Sequence, residues 1–220
     1  MSTPVDRLYS EATAVLVCLE RNGEISLRAA AADNLRKTLL LAAASYFENQ
    51  IVNSVLRFIQ SRSGGSVMVE AFVRNKAVAR QYHTWFEWDK PNANQFFGLF
   101  GSSFKTRITQ QVKSSETLRE SIKAFLDIGN ERNKVIHQDF ASFILDKTIE
   151  EIFESYRKAL YFVERLPGLL EENDPRPSRS ETEVRAYYIA QKRLRSGEPG
   201  DPKSDWLQAQ TELIEERGAG

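Results

Sequence analysis

Residues 118–137 read LRESIKAFLDIGNERNKVIH, and their spacing decides the fold class. Apolar side chains return at Leu118, Ile122 and Phe125, and the same stripe then runs through Gly129, Arg132 and Ile136. A repeat of three and four is that of a helix with one buried face. Thr117, with Glu120 three residues on, forms a capping-box pattern that opens this helix near Leu118. Arg132 falls where the stripe calls for a core residue. A guanidinium there must be paired or must face water, because burying it alone is too costly. Gly129, about one turn earlier, would let another backbone come close.

The same periodicity recurs outward in both directions, so the chain reads as all-α. On the N-terminal side, a helix begins near Pro4 and runs to about Glu20, broken by Asn22-Gly23. A very long second helix spans roughly Ser26 to Arg62 and ends at Ser63-Gly64-Gly65. A shorter one follows from about Val67 to Tyr82. Asp89-Lys90-Pro91-Asn92 is a loop signal, NQFFGLFG (94–101) an aromatic turn, and Ser103 to Val112 a further helix. On the C-terminal side, Thr148 with Glu151 opens a helix with Ile149, Ile152, Phe153, Tyr156, Leu160 and Val163 on one face, ended by Pro167. This bundle occupies residues 1–170. EENDPRPSRS, 171–180, has no apolar residue and two prolines and reads as a linker. Residues 181–220 read as a small helical hairpin, joined by SGEPGDPK, with Tyr187, Tyr188, Ile189, Trp206, Leu207 and Leu213 as its expected apolar seam.

Composition removes several function classes. The chain has 220 residues, with 30 Lys+Arg balanced by 30 Asp+Glu, so bulk charge does not hold it to nucleic acid or membrane. One cysteine, Cys18, allows no internal disulfide, and two histidines allow no multi-histidine metal centre, so neither metal nor cofactor is expected. The longest apolar-rich stretch, LLLAAASYF (39–47), is too short to span a bilayer. The N-terminal stretch is not that of a signal peptide, and the expected location is the cytoplasm.

The chemistry concentrates in IGNERNKVIHQDF, 128–140. Asn133 and His137, four apart, are neighbours on one helix face. Arg132 and His137, five apart, are separated by about 140° around the helix, an angle that arginine's length partly closes. Glu48 lies on a helix side lined by Leu41, Val52 and Ile59, where it would pair with Arg132, as a structural salt bridge or to hold the guanidinium in place. Arg74, Lys76 and Arg80 are either a solvated face or a short path for an RNA backbone. His83, in RQYHTWFEW, reads as a surface or partly packed histidine without a role, and Phe96, Phe97 and Phe100 as core.

With Arg132-Asn133, three further residues and His137, followed by a loop and a closing amphipathic helix, the chain resembles the HEPN superfamily. The long second helix carrying Phe47-Glu48 and the turn NQFFGLFG extend the resemblance to its RiboL-PSP branch, over roughly residues 5–168. Gln138 departs from the glycine that many relatives carry after the histidine. The hairpin, through Ala186-Tyr187-Tyr188 and Asp205-Trp206-Leu207-Gln208-Ala209, resembles a short bacterial module of unknown function.

The resemblance implies a HEPN-like helical bundle that forms a homodimer with its signature helices at the two-fold axis. It implies a metal-independent endoribonuclease, in stress response, toxin–antitoxin or antiphage defence. His137 would move a proton, Arg132 would stabilise phosphate charge, and Asn133 would orient the histidine or bind the phosphate. A two-fold interface would double this small set. The resemblance allows, ranked after this, a module that dimerises and binds RNA or protein without cutting and, third, a nucleotide-binding or regulatory partner of a nucleotidyltransferase; an antitoxin partner is a further expectation.

Overall fold

The computed structural model describes residues 2–172, 177 and 179–218. The chain divides into two compact units, Met1–Glu171 and Glu172–Gly220. The described residues form helices and no strand, so the all-α reading holds. The expected linker at 171–180 lies largely outside the described residues.

The first unit opens with α1, Pro4–Arg21, and α2, Ile25–Arg62. Thr3 caps α1: its hydroxyl accepts from the Asp6 amide, and the Asp6 carboxylate accepts from the Thr3 amide. The Thr3 hydroxyl also shares a 2.7 Å hydrogen bond with the Tyr156 phenol, and Tyr9 stacks on Phe153 at 3.9 Å. Gly23, at φ +73°, makes the left-handed turn between the two helices.

Next comes α3, Val67–Val73, much shorter than the sequence suggests. The expected helix to Tyr82 instead widens into a π-helical turn, Arg74–Val78, and resumes as a 3₁₀ turn, Tyr82–Thr84, after Arg80 takes the left-handed φ of +62°. The reason is burial further on. Trp85 and Phe86 enter the core, 5% and 3% exposed, while α3 keeps Val67, Met68 and Phe72 in solvent. A continuing α-helix would carry the two aromatic rings past the core. Breaking it lets the Trp85 Nε1–H donate to the Ala77 carbonyl at 3.1 Å.

The turn at 94–98 is α4, Asn94–Gly98, with Phe96 and Phe97 buried, and α5 spans Ser102–Ser114. The signature helix is α6, Glu116–His137. Its cap is Ser115, whose hydroxyl accepts from the Leu118 amide, two residues before the expected Thr117. Serine caps as well as threonine, and Glu116 then places an acid in the first turn, where the helix dipole favours it.

The last helix of this unit, α7, spans Ile149–Glu172, and here the capping box at Thr148 and Glu151 forms as read. Pro167 does not end it. An internal proline costs about 3 kcal/mol in a helix. Leu166, Leu169 and Leu170 continue the buried face around it, each at most 2% exposed. Burying each leucine is worth roughly 1.5–3 kcal/mol, enough to offset that cost. At the centre, Phe125 of α6 meets Phe47 of α2, Phe162 of α7 and Phe86 of the 82–88 turn, with ring centroids 5.0–5.7 Å apart.

The second unit is α8, Arg179–Ser196, packed on α9, Pro202–Gly218. Of its expected apolar seam, Ile189, Trp206 and Leu213 are half-buried, whereas Tyr187, Tyr188 and Leu207 are more than half exposed. Between the helices lie ion pairs. Arg193 grips Asp205 with two bonds of 3.0 and 2.9 Å, and Arg185 bridges Glu212 and Glu216. Ala209 is fully buried. Charged side chains thus join this hairpin alongside its partly buried apolar residues.

Candidate functional site: a cleft beside the end of the signature helix

The apolar stripe of α6 stops serving the core at Gly129. Leu118, Ile122, Phe125 and Gly129 are buried, Arg132 is half-buried, and Ile136 is 48% exposed. From Gly129 onward this face lines an open cleft of about 600 Å³. Arg132, Asn133 and His137 all reach it, so the large angle between Arg132 and His137 does not separate them. Across from them α2 contributes Ala44, Phe47 and Glu48. Arg80, Tyr82 and His83 form a third wall.

The signature side chains have distinct partners. The Arg132 guanidinium donates to the Asn133 amide oxygen at 3.0 Å. Asn133 therefore steadies the arginine, where the sequence suggested a histidine or a phosphate as its partner. The His137 imidazole is exposed. Among the described residues Glu48 makes no ion pair with Arg132 within 4.0 Å, contrary to the expected salt bridge. The two instead act on the same phenol. Burial pushes the Tyr82 pKa well up, the Glu48 carboxylate pushes it further, and Arg132 pulls it back. Tyr82 is thus neutral at any physiological pH; with Trp88 it gives the cleft an aromatic wall, packed from behind by Trp85 and Phe86.

Gly129 has a use other than backbone approach. A Cβ there would lie 2.1 Å from two ring carbons of Trp88. The indole packs against the bare helix, and its Nε1–H donates to the His83 carbonyl at 2.9 Å. One glycine thereby seats the ring that holds the Tyr82–His83 turn at the cleft.

The loop after α6 is anchored from α2. Lys37, only 1% exposed, donates to the Phe140 carbonyl at 3.0 Å and pairs with Asp33 at 2.8 Å. Arg36 donates to the Leu145 and Lys147 carbonyls. Gln138 takes an extended backbone, φ −107°, which a side chain adopts without strain, so no glycine is needed after His137.

The basic stretch does not form one strip. Arg74 pairs with Glu70 at 2.8 Å, Lys76 lines a separate apolar cavity with Val55, Ile59 and Phe100, and Arg80 alone reaches the cleft. Phe96 and Phe97 are core, as read. Tyr82 and His83 were not singled out from the sequence as site residues. Their only signal is one of two histidines standing inside an aromatic run.

The model of the RiboL-PSP-HEPN family matches residues 6–172, three quarters of the chain. The chain belongs to this family. The matched span takes in α6 with Arg132, Asn133 and His137 and ends with α7, leaving α8 and α9 outside it. Comparisons with curated proteins and with solved structures found no match. Among the described residues no helix is long and apolar enough to cross a membrane.

Proposed function

We propose that this HEPN protein is an endoribonuclease that uses the RNA 2′-hydroxyl as its nucleophile. The observation that carries the reading is the gathering of Arg132, Asn133 and His137 on one open cleft. When O2′ attacks the adjacent phosphorus, a proton must leave it and negative charge builds on the phosphate oxygens. The exposed His137 imidazole serves the proton. A guanidinium held by a neighbouring amide serves the charge, and its fixed direction avoids reorganisation in the transition state. Because the nucleophile is already part of the substrate, the reaction does not require a metal ion to activate water. Glu48 and Tyr82 shape the cleft, and Arg80 offers a second cation to the strand.

The working form is a homodimer. Ile136, just before His137, and Ile144, in the loop after it, stand in solvent at 48% and 74% exposure, and a second copy would cover them.

The test is RNA cleavage by the full chain in EDTA. His137→Ala is expected to lower the rate about 10²–10⁴-fold, the usual range for a lost general acid or base. Arg132→Ala is expected to lower it about 10²–10³-fold. Both variants keep the wild-type melting temperature within a few degrees, since neither side chain is buried. Cleavage at the wild-type rate by both would remove these residues from the mechanism. Tight RNA binding without products at high protein concentration would instead establish a binding module.

A further inference from the structure

The cleft holds both histidines of the chain. His137 enters from the end of α6 and His83 from the 3₁₀ turn Tyr82–Thr84 on another wall. Both imidazoles are exposed, and neither has a hydrogen-bond partner among the described residues. The turn under His83 is held firmly through its backbone. The Trp88 indole donates to the His83 carbonyl at 2.9 Å, the Gln95 amide to the Thr84 carbonyl at 2.6 Å, and the Thr84 hydroxyl to the Gln81 carbonyl at 2.7 Å. These bonds fix the turn and leave the imidazole free.

Cleavage through the 2′-hydroxyl needs two proton transfers. A base takes the proton from O2′ as the P–O2′ bond forms, and an acid gives one to O5′ as the P–O5′ bond breaks. No water is consumed, and the products are a 2′,3′-cyclic phosphate and a 5′-hydroxyl. One imidazole cannot stand on both sides of an in-line displacement at once. We infer that His83 is the second catalytic residue of this centre, dividing the two proton transfers with His137 inside a single protomer. The inference rests on the ribonuclease reading and sharpens it, because the acid–base pair is then complete without a residue from another copy. Arg132 and Arg80 supply positive charge to the same cleft, Glu48 supplies negative charge, and Tyr82 stays neutral beside His83.

With only two histidines, each Cε1–H proton resonance is assigned by one variant, His83→Gln or His137→Gln. A mixed-sequence oligonucleotide with 2′-fluoro sugars, which cannot be cut, is titrated into the full chain. Both resonances are expected to shift with one midpoint. In cleavage, His83→Gln is expected to slow the wild-type rate at least tenfold at an unchanged melting temperature. RNA whose bridging 5′-oxygen is replaced by sulfur leaves without an acid, so it should rescue only one of the two variants. If the wild type cuts RNA while His83→Gln cuts equally fast, or while only the His137 resonance moves, His83 is a bystander and the ribonuclease reading stands without it. If the wild type fails to cut, the reading falls and takes this inference with it.

Discussion

At the scale of single residues, the cleft depends on what is missing at Gly129 and on what is neutral at Tyr82. Alanine ordinarily improves a helix interior by about 1 kcal/mol over glycine. Here a Cβ would strike the Trp88 ring, which is packed against Tyr82, Phe86 and Phe125 and cannot swing away cheaply. Gly129→Ala is therefore expected to destabilise the protein by about 1–3 kcal/mol in urea unfolding, the usual range for over-packing. A stabilised variant would mean that the ring is not seated there. Glycine in the signature helix was legible as a mark of close approach, but a sequence does not say which group approaches. Burial holds the Tyr82 phenol protonated, and also Tyr156, pushed up to about 12. A raised folded-state pKa contributes stability below the ordinary phenol value near 10 and loses it as pH climbs above. In a spectrophotometric titration near pH ~11, Tyr82→Phe should remove no phenolate absorbance and Tyr156→Phe only about a tenth of one tyrosine's. Loss of one tyrosine's signal in either variant would place that ring in solvent.

At the scale of elements, α2 does more than pack: its first half ties down the loop that follows His137. The Lys37 ammonium beside Asp33 holds the Asp33 carboxyl below the usual carboxylate range, with Arg36 adding to the effect. A lowered folded-state pKa gives stability that is present above the ordinary value near 3.9 and is lost as pH falls through the lowered one. Melting temperature measured from pH 6 down to about 3 should fall, and Asp33→Asn should flatten part of that decline. An unchanged slope in Asp33→Asn would remove the pair from the account. The helices themselves were largely legible from spacing, since α1, α2, α6 and α7 begin within two residues of where caps and apolar periods placed them. The failures have tertiary causes. Pro167 stays helical because three leucines around it are buried, and the helix after Val67 breaks because Trp85 and Phe86 must enter the core. Neither local propensity nor periodicity carries that information.

At the scale of the whole molecule, half of the cleft was readable in advance. Arg132, Asn133 and His137 announced themselves by a charge on an apolar stripe and by their resemblance to HEPN proteins. Arg80 was read only as one of three basic residues on a face, and Tyr82 and His83 did not announce themselves, because a turn some fifty residues away in sequence reaches the cleft only through tertiary packing. The proposed dimer is tested at this scale. Ile144→Asp, at a side chain 74% exposed, should leave folding intact and shift sedimentation from dimer to monomer. A dimer of undiminished affinity would put the interface elsewhere. The account stands most directly on the nature of the nucleophile, read from the ends of the RNA fragments. Incubation of the full chain with RNA in EDTA should yield 2′,3′-cyclic phosphate and 5′-hydroxyl ends, and replacing one ribose by 2′-deoxyribose should abolish cutting at that linkage alone. Fragments carrying 5′-phosphate and 3′-hydroxyl ends, or undiminished cutting at the deoxyribose, would contradict it.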